Sequence, residues 1–446
     1  MRKTLALFLL AGASLLAALP ASAQVKVAPL DIKERTLTNG LKVVSLRDNT
    51  SPTVAIHVWY NVGGKNDPQG RSGFAHMFEH MMFKSTKNMP NEKMDRLTED
   101  VGGFNNASTW DDFTNYYEVV PSNYLETLLW AESDRMVNLN VDDANFQSER
   151  DVVKEEFRQS VLAQPYGRFY EYISSLSYAK HPYKRGVIGN LEQLDAATPK
   201  DAKDFYNTFY RPDNAYLIVV GDFDDKQLEA WTDKYFGRIA KPTGAIPRVT
   251  EVEPDRTAES RQVTTAPNVP FPAVAITYLG PDSKSSDVPA LRIAEKILSG
   301  GESSRLYQAL VYKQQIAQEA SFSYDMRVDK GLLYFSAIAS EGNKPEALES
   351  SLLAELKNIQ SSPVTANELA KAKNQLVTEA IRRRENNDGR AIAIERAVAY
   401  MGDPKAVNSE VAALQAVTAA DVQRVMKKYF SDKNRVVIYY SQGDQK

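Results

Sequence analysis

The chain has 446 residues, a formal net charge of −3 and no cysteine. A chain of this length buries a sizeable core without disulfide bonds, and the lack of cysteine excludes a thiolate as nucleophile or metal ligand. The mildly acidic composition argues against a nucleic acid as partner, because proteins that bind nucleic acids cluster Lys and Arg on their surface.

The first 23 residues have the features of a secretory signal peptide. Arg2 and Lys3 precede an apolar stretch over residues 5–19, and the sequence A-S-A at residues 21–23 forms a cleavage site. The apolar stretch is too short for a membrane anchor, and no later segment reaches the roughly 18 consecutive apolar residues of a membrane span. We therefore expect cleavage after Ala23 and an exported product without a membrane anchor, periplasmic if the source is Gram-negative.

The most informative motif is H-x-x-E-H at residues 76–80. His76 and His80 stand four residues apart, so on a helix they share one face and can bind one zinc ion at about 2.0–2.1 Å. Glu79 lies about 60° round the helix from His76, where it can take a proton from a water at the metal. This order of residues is the inverzincin pattern of zinc peptidases.

A catalytic zinc site usually has three protein ligands. The helical stretch 148–160 offers Glu149, Glu155 and Glu156 as the third. Glu149 and Glu156 are seven residues apart and fall on nearly the same helix face, whereas Glu155 points about 100° away from Glu156. One carboxylate on the metal and another behind it would complete the site, since outer carboxylates orient ligand histidines.

The sequence repeats at one fixed offset. The tripeptide V-A-I at residues 54–56 recurs at 274–276, and the same offset pairs Leu194 with Leu414, Thr198 with Thr418, Asp201 with Asp421, and Asn214 with Asn434. Both copies predict a Thr-capped helix, a polar turn and a β-strand (216–220 and 436–440). At this offset Lys296, Ser299 and Gly300 replace the three motif residues, so only the first copy can hold a metal.

The pattern predicts an α+β protein of two duplicated domains, because strands and helices cluster without strict alternation. Further strands are expected at 54–60, 275–278 and 332–338. We divide the chain into a signal peptide (1–23), a zinc-binding catalytic domain (24–240), a Pro-rich polar linker (241–272) and a second domain without zinc (273–446).

These features resemble the pitrilysin, insulin-degrading and mitochondrial-processing family of inverzincin metallopeptidases, in its short two-domain bacterial type. The resemblance covers nearly all of the mature chain. It implies that each domain is an antiparallel-rich sheet packed with helices and that the two form a clamshell. In this family the third ligand is the last acid of an E-x₆-E pattern, which implies Glu156 as zinc ligand, Glu149 as its supporting carboxylate and Glu155 as a solvated acid.

The segment G-G-F-N-N-A-S-T at residues 102–109 is similar to the family signature G-G-x-x-N-A-x-T. In the family this strand pairs with an extended peptide substrate through main-chain hydrogen bonds. The resemblance implies that Asn106 and Ala107 contact the substrate. The reaction expected is hydrolysis of a peptide bond, with Zn²⁺ as cofactor and Glu79 as general base.

The second half departs from the family in one respect. Where relatives carry an arginine and a tyrosine seven residues apart that face the zinc, this chain has Val311 and Gln318. We therefore expect a heterodimer in which a related subunit without zinc supplies the Arg/Tyr pair. Local replacement of the pair by Tyr312, Lys313 or Tyr324 is the alternative.

Two other functions compete with the peptidase. One is a non-catalytic peptide-binding or assembly subunit of the same fold, and the other is a zinc hydrolase of small amides. The intact motif with Glu156 favours an enzyme, and the strand-forming segment 102–109 favours peptides. His57 and His181 are interpreted as structural, and the run of Arg382, Arg383 and Arg384 as a solvated helix face.

Overall fold

A computed structural model describes residues 25–443, so the signal peptide predicted for residues 1–23 lies outside the described part. The described chain contains two mostly antiparallel sheets. The six strands of the first sheet, ordered β1-β2-β6-β3-β5-β4, are β1 (Lys33–Thr36), β2 (Lys42–Arg47), β3 (Thr53–Tyr60), β4 (Phe104–Thr109), β5 (Thr114–Pro121) and β6 (Ala215–Gly221). The five strands of the second sheet, ordered β7-β11-β8-β10-β9, are β7 (Ser260–Ala266), β8 (Ala273–Leu279), β9 (Ala317–Asp325), β10 (Leu332–Ala339) and β11 (Arg435–Gln442).

Helices pack on both sheets. Those of the first half are α1 (Phe74–Met81), α2 (Lys93–Glu99), α3 (Leu125–Asn138), α4 (Asp143–Phe157), α5 (Gly167–Ser175), α6 (Leu191–Asp195), α7 (Pro199–Phe209) and α8 (Asp225–Tyr235). Those of the second half are α9 (Val288–Ser299), α10 (Pro345–Ser361), α11 (Ala366–Arg382), α12 (Asn387–Met401), α13 (Glu410–Ala416) and α14 (Ala419–Tyr429). Single π-helical segments follow α4 (Arg158–Leu162) and precede β9 (Tyr307–Lys313).

The repeat seen in the sequence is present in the fold. Helices α7 and α14 begin and end at equivalent positions of the two copies, and Thr198 and Thr418 cap them through the same reciprocal hydrogen bonds with Asp201 and Asp421. The strands after these helices, β6 and β11, each lie between one parallel and one antiparallel neighbour: β2 and β3 in the first sheet, β7 and β8 in the second. The prediction of two duplicated α+β units is confirmed.

One helix of each half packs on the sheet of the other half: α12 on the first sheet and α5 on the second. On β3 the even-numbered residues face the main core of the first half, while Ala55 and its odd-numbered neighbours face Ala391 and Ile394 of α12. On the second sheet, Phe169 and Ile173 of α5 cover the corresponding face. Helices α5 and α12 begin at equivalent positions of the two copies, so the exchange follows the repeat. Both faces of the central strands are therefore buried, and β3 is more apolar than a half-exposed strand needs to be.

The connection between the halves includes a strand. Strand β7 lies within the stretch 241–272 that the sequence assigned to a linker, and it pairs with β11. The domain boundaries themselves stay a prediction. Within residues 25–443, none of the helices combines the length and the apolar character that crossing a membrane requires.

Candidate metal centre

The start of helix α1 is fixed by an aspartate and a glycine. The carboxylate of Asp67 accepts hydrogen bonds from the backbone N–H groups of Gly73 (2.6 Å) and Ala75 (2.9 Å), which the first turn of a helix leaves without partners. Gly73 has φ = 95°, and a Cβ atom there would lie 2.9 Å from the carbonyl oxygen of Ile188. Burial raises the pKa of Asp67 to about 7. These contacts set where the H-x-x-E-H turn begins.

One face of α1 is anchored in the core and the other faces a cleft. Phe74, Met77 and Phe78 are fully buried, and the ring of Phe78 packs against Phe205 of α7 with centroids 5.3 Å apart. The three polar residues of the motif are only partly buried. Packing of the apolar face therefore determines the direction in which the motif side chains point.

The histidines of α1 meet a carboxylate of α4. The Nε2 atoms of His76 and His80 lie 3.6 Å and 3.4 Å from Oε2 of Glu156, and one ligand atom from each residue falls within 4.8 Å of the others. Two ligands at a tetrahedral angle around a zinc ion, bound at about 2.0–2.1 Å, lie about 3.3–3.4 Å apart. Two imidazoles and one carboxylate are also a known ligand set of catalytic zinc, so these residues fit the ion.

Glu149 lies behind His80. Its Oε2 atom is 3.7 Å from Nδ1 of His80, while its Oε1 atom accepts hydrogen bonds from Lys84 (2.6 Å) and from the hydroxyl of Ser148 (3.0 Å). Glu149 is buried, whereas Glu155 is exposed and pairs with Arg158. The three acids of α4 thus lie in three different places: Glu156 at the histidines, Glu149 behind His80 and Glu155 in solvent.

The electrostatics of the cluster suit a cation. Burial, reinforced by the nearby His80, lowers the pKa of His76 to about 4 despite the opposing effect of Glu156. Burial also acts to lower the pKa of His80, but hydrogen bonds with Glu149 and Glu156 outweigh it and raise that pKa to about 9. Three carboxylates, those of Glu79, Glu149 and Glu156, thus surround two imidazoles, and the excess negative charge favours a bound cation.

Glu79 is held at the end of strand β4. Its side chain accepts hydrogen bonds from the backbone and the hydroxyl of Thr109, and burial raises the pKa of its carboxyl group above the usual value. A raised pKa makes this carboxylate a stronger base towards water. The residue that the motif assigns to proton transfer is therefore tied directly to the strand predicted to bind substrate.

Strand β4 is the edge of the first sheet and borders a cavity of about 580 Å³. It pairs with β5 on one side, where Asn106 and Ala107 oppose Tyr117 and Tyr116. Ala107 lines the cavity together with His76, Glu79 and Glu156, while Asn106 is exposed beyond the lining and its side chain accepts from the N–H of Ala107. The predicted substrate strand thus runs past the predicted metal ligands.

Sequence reasoning missed the residues that the second half brings to this cavity. Arg327 lines it, and its Nη2 atom donates to Asp325 (2.7 Å) and to Ser174 (3.1 Å) and lies 3.3 Å from Asp111. The guanidinium group also lies over the ring of Tyr183, 4.6 Å from its centroid. These residues come from both halves, so no local pattern could have grouped them. Because Arg327 pairs with Asp325 of the second half and with Asp111 of the first, it joins the two halves beside the cleft.

The positions that depart from the family pattern lie away from the cavity. Val311 packs against the core of the second half, and Gln318 is exposed on β9. The three residues considered as local replacements, Tyr312, Lys313 and Tyr324, are likewise outside the cavity lining. The described residues therefore offer no substitute for the pair at the sequence positions considered.

Comparison with known proteins decides the family. Residues 42–190 match the description Insulinase (Peptidase family M16), and residues 196–376 match the Peptidase M16 inactive domain. The chain is 31% identical over 407 residues to the zinc protease PqqE of Helicobacter pylori, covering 91% of each chain. The chain belongs to peptidase family M16.

Solved structures and a eukaryotic relative agree with this membership. The crystal structure of a protease from Helicobacter pylori superimposes with a TM-score of 0.89 at 30% identity, covering 93% of this chain and 100% of the other. The probable mitochondrial-processing peptidase subunit beta of Arabidopsis thaliana is 23% identical over 408 residues, covering 90% of this chain and 76% of that protein. The part matched by the inactive-domain description contains Lys296, Ser299 and Gly300 at the positions of the motif.

Proposed function

We propose that this chain is an exported zinc endopeptidase that hydrolyses extended or unfolded peptides. The observation that carries the proposal is the meeting of His76, His80 and Glu156 beside the unpaired edge of β4, with Glu79 held between them and the strand. An exposed strand edge binds extended peptides through main-chain hydrogen bonds, which accept many sequences. The relative named a zinc protease in Helicobacter pylori supports zinc as the metal.

His76, His80 and Glu156 would hold the metal, and Glu149 would orient the ring of His80. A zinc ion there would lower the pKa of a bound water to about 7 and polarise the scissile carbonyl. Glu79 then takes the proton of the attacking water and delivers it to the amine of the leaving peptide, a step that contributes roughly 10²–10⁴-fold to the rate. Thr109 positions the Glu79 carboxylate for both transfers.

We further propose that this chain is the zinc-bearing subunit of a heterodimer. Val311 and Gln318 cannot supply the guanidinium and phenol groups expected opposite the zinc, and both lie outside the cavity lining. A related subunit carrying the Arg/Tyr pair would add them from across the cleft. The similarity to a protein named as one subunit of the mitochondrial-processing peptidase supports a paired arrangement. Export, and a periplasmic location in a Gram-negative source, rest on the signal peptide predicted at residues 1–23.

The decisive experiment compares Glu79→Gln with Glu155→Gln. Both changes replace a carboxylate by a neutral amide of the same shape, but Glu155 is exposed and points away from the histidines. We expect Glu79→Gln to keep its zinc, measured by metal analysis, and to lose about 10²–10⁴-fold in hydrolysis of an unfolded peptide. Glu155→Gln should behave as the wild type. Full activity of Glu79→Gln would remove Glu79 from the mechanism.

A second experiment separates the enzyme from its alternative and tests the heterodimer. The purified chain is assayed alone and mixed with an exported relative that lacks H-x-x-E-H but carries the Arg/Tyr pair. Without these groups the rate should be about 10²–10³-fold lower, the usual effect of a missing oxyanion donor. If the single chain is as fast as the mixture, the heterodimer is wrong. Peptide binding without hydrolysis in every mixture would favour the non-catalytic assembly subunit.

A further inference from the structure

A second cavity lies in the other half of the molecule. It measures about 270 Å³ and is bounded by α9, α12, α13, the polar segment 283–286 and the short 3₁₀ segment Pro404–Ser409. Its walls are mostly apolar, with Met326, Ala397 and Leu414 among them. It shares no lining residue with the cavity at the metal centre. Cavities of this kind, apolar with a few convergent polar groups, are typical small-molecule sites.

Arginines converge on the rim of this second cavity. The interpretation of residues 382–384 as a solvated face is wrong for two of the three, because Arg384 is buried and Arg383 is half-buried. Both turn towards Glu410, at 3.9 Å and 3.8 Å, and Arg292 donates to the same carboxylate at 2.9 Å. One carboxylate therefore faces three guanidinium groups.

Basic side chains outnumber acidic ones in the lining of this cavity. Arg396 lines the cavity as well, and its guanidinium group lies over the ring of Tyr400, 5.9 Å from the centroid, with no carboxylate of the described part of the chain in salt-bridge contact. Within residues 25–443, the guanidinium group of Arg383 donates no hydrogen bond, although it is largely withdrawn from solvent. Burial lowers the pKa of Arg383, and repulsion from Arg396 and Arg292 lowers it further against the attraction of Glu410 and Glu379. An anion beside Arg383 would accept the missing hydrogen bond and would offset the repulsion between the guanidinium groups.

We propose that this cavity binds a small amphipathic carboxylic acid. Its apolar part would lie against Ala397 and Leu414, and its carboxylate would accept hydrogen bonds from Arg383 and Arg396. A guanidinium group matches a carboxylate with two parallel hydrogen bonds, which a neutral ligand cannot form. Because most of the cavity surface is apolar, a fully hydrated anion such as inorganic phosphate would leave that surface uncovered and should bind more weakly than an amphipathic acid.

The test uses octanoate as the probe and the full mature chain as the receptor, measured by titration calorimetry. Arg383→Gln should weaken octanoate binding about tenfold through the loss of a charge-assisted pair. Arg382→Gln is the matched control, since Arg382 is the exposed neighbour at the end of the same helix and should bind as the wild type does. Peptidase activity without octanoate should be the same in all three proteins.

Two further probes complete the test: a neutral analogue of octanoate and an anion without an apolar part. Octan-1-ol and inorganic phosphate should each bind far more weakly than octanoate. The proposal is overturned if octan-1-ol binds as tightly as octanoate, if phosphate binds more tightly, or if the two arginine variants bind octanoate equally. Circular dichroism checks that Arg383→Gln is folded. Should it not fold, Arg396→Gln replaces it with the same expected loss, because Arg396 is exposed and its removal leaves the packing intact.

Discussion

The helix pair α1 and α4 of the first half has a counterpart in α9 and α11 of the second half, which also pack against each other. At the offset of the repeat, the counterparts of His76, Glu79, His80 and Glu156 are in that order Lys296, Ser299, Gly300 and Leu376. A cavity of about 370 Å³ remains beside the second pair and is lined by Ser299, Gly300 and Leu376. The same frame thus exists with and without metal-binding side chains, so the frame does not need the metal in order to form.

The exchanged helices differ in the same way. Helix α5 lies on the second sheet through apolar and aromatic contacts, such as Phe169 on Tyr440 with ring centroids 5.6 Å apart. Helix α12 lies on the first sheet and adds a buried ionic contact, because His57 of β3 is within 2.8 Å of Glu395 and 3.3 Å of Asp388. At the offset of the repeat, the counterparts of His57 and Glu395 are Thr277 and Ser175, so the buried ionic contact of the first sheet is not repeated at these positions of the second.

Glu156→Leu copies the second half into the first and should have the largest effect. The variant should fold, because Leu376 occupies the equivalent place in α11, but it leaves only two zinc ligands. We expect zinc to fall from about one ion per chain to near zero, with at least the roughly 10²–10⁴-fold loss of turnover that removal of the base would cause. Metal analysis and a peptide assay measure both, and Glu155→Leu is the control. A Glu156→Leu protein that retains zinc would place the third ligand elsewhere.

Glu395→Gln tests the ionic contact of α12. Removing one partner from a buried pair costs about 3–5 kcal/mol, so the free energy of unfolding, measured with urea, should fall by about 3 kcal/mol at pH 6. Asp388→Asn is the matched control and should cost less, because Asp388 is partly exposed and its contact is longer. Equal losses in the two variants would contradict this assignment.

The same pair predicts a pH dependence. Burial acts to lower the pKa of His57, but hydrogen bonds with Asp388 and Glu395 outweigh it and raise that pKa above the usual value near 6.5. A raised pKa in the folded state means that the stabilisation is complete below about pH 6.5 and is lost as the pH rises through the folded-state pKa. The difference in stability between wild type and Glu395→Gln should therefore shrink above neutral pH. A constant difference from pH 5 to pH 9 would show that the His57 imidazole does not titrate in this range, which contradicts the prediction.

The features that depend on residue spacing within one helix could be predicted from the sequence. Heptad spacing between Glu149 and Glu156, the turn between His76 and His80, and the Thr caps of α7 and α14 all depend on neighbours within one helix. The sequence pattern predicted the strand V-A-I-H-V-W-Y but not its burial on both faces. The helix that covers its second face, α12, belongs to the other half of the sequence.

Contacts between the halves could not be predicted from spacing. Arg327 reaches the cavity of the metal centre only because the turn after β9 meets the turn after β4, where Asp112 accepts from the N–H of Val328. The inward turn of Arg383 depends on Glu410, which lies on a different helix. In each case the partner of the charged residue is distant in sequence, so spacing along the chain does not reveal the contact.

Glu149→Leu again copies the second half, where Leu369 stands at the equivalent position, and should have a smaller effect than the loss of a ligand. Outer carboxylates of this kind typically contribute about 10–100-fold to metal affinity. We expect zinc affinity, measured by competition with a coloured chelator, to fall within that range, while zinc still binds at saturating concentration. Lys84→Met separates the contribution of the Lys84–Glu149 pair from that of the Glu149–His80 contact, since it removes the cation and leaves the contact with His80. If Glu149→Leu binds zinc as tightly as the wild type, Glu149 does not contribute to metal binding.

Removal of the metal should have the smallest effect on the fold itself. Because α9 and α11 pack without any metal ligands, chelation should leave the helical circular-dichroism signal unchanged and abolish peptide hydrolysis. A ligand present at about 100 times its Kd adds about 2.7 kcal/mol to the stability of the folded state, so the melting temperature should drop by only a few degrees. Glu156→Leu should show no such drop, since it has no zinc to lose. Loss of the helical signal on chelation would mean instead that α1 and α4 depend on the metal, and that the two halves share a sequence repeat but not a common source of stability.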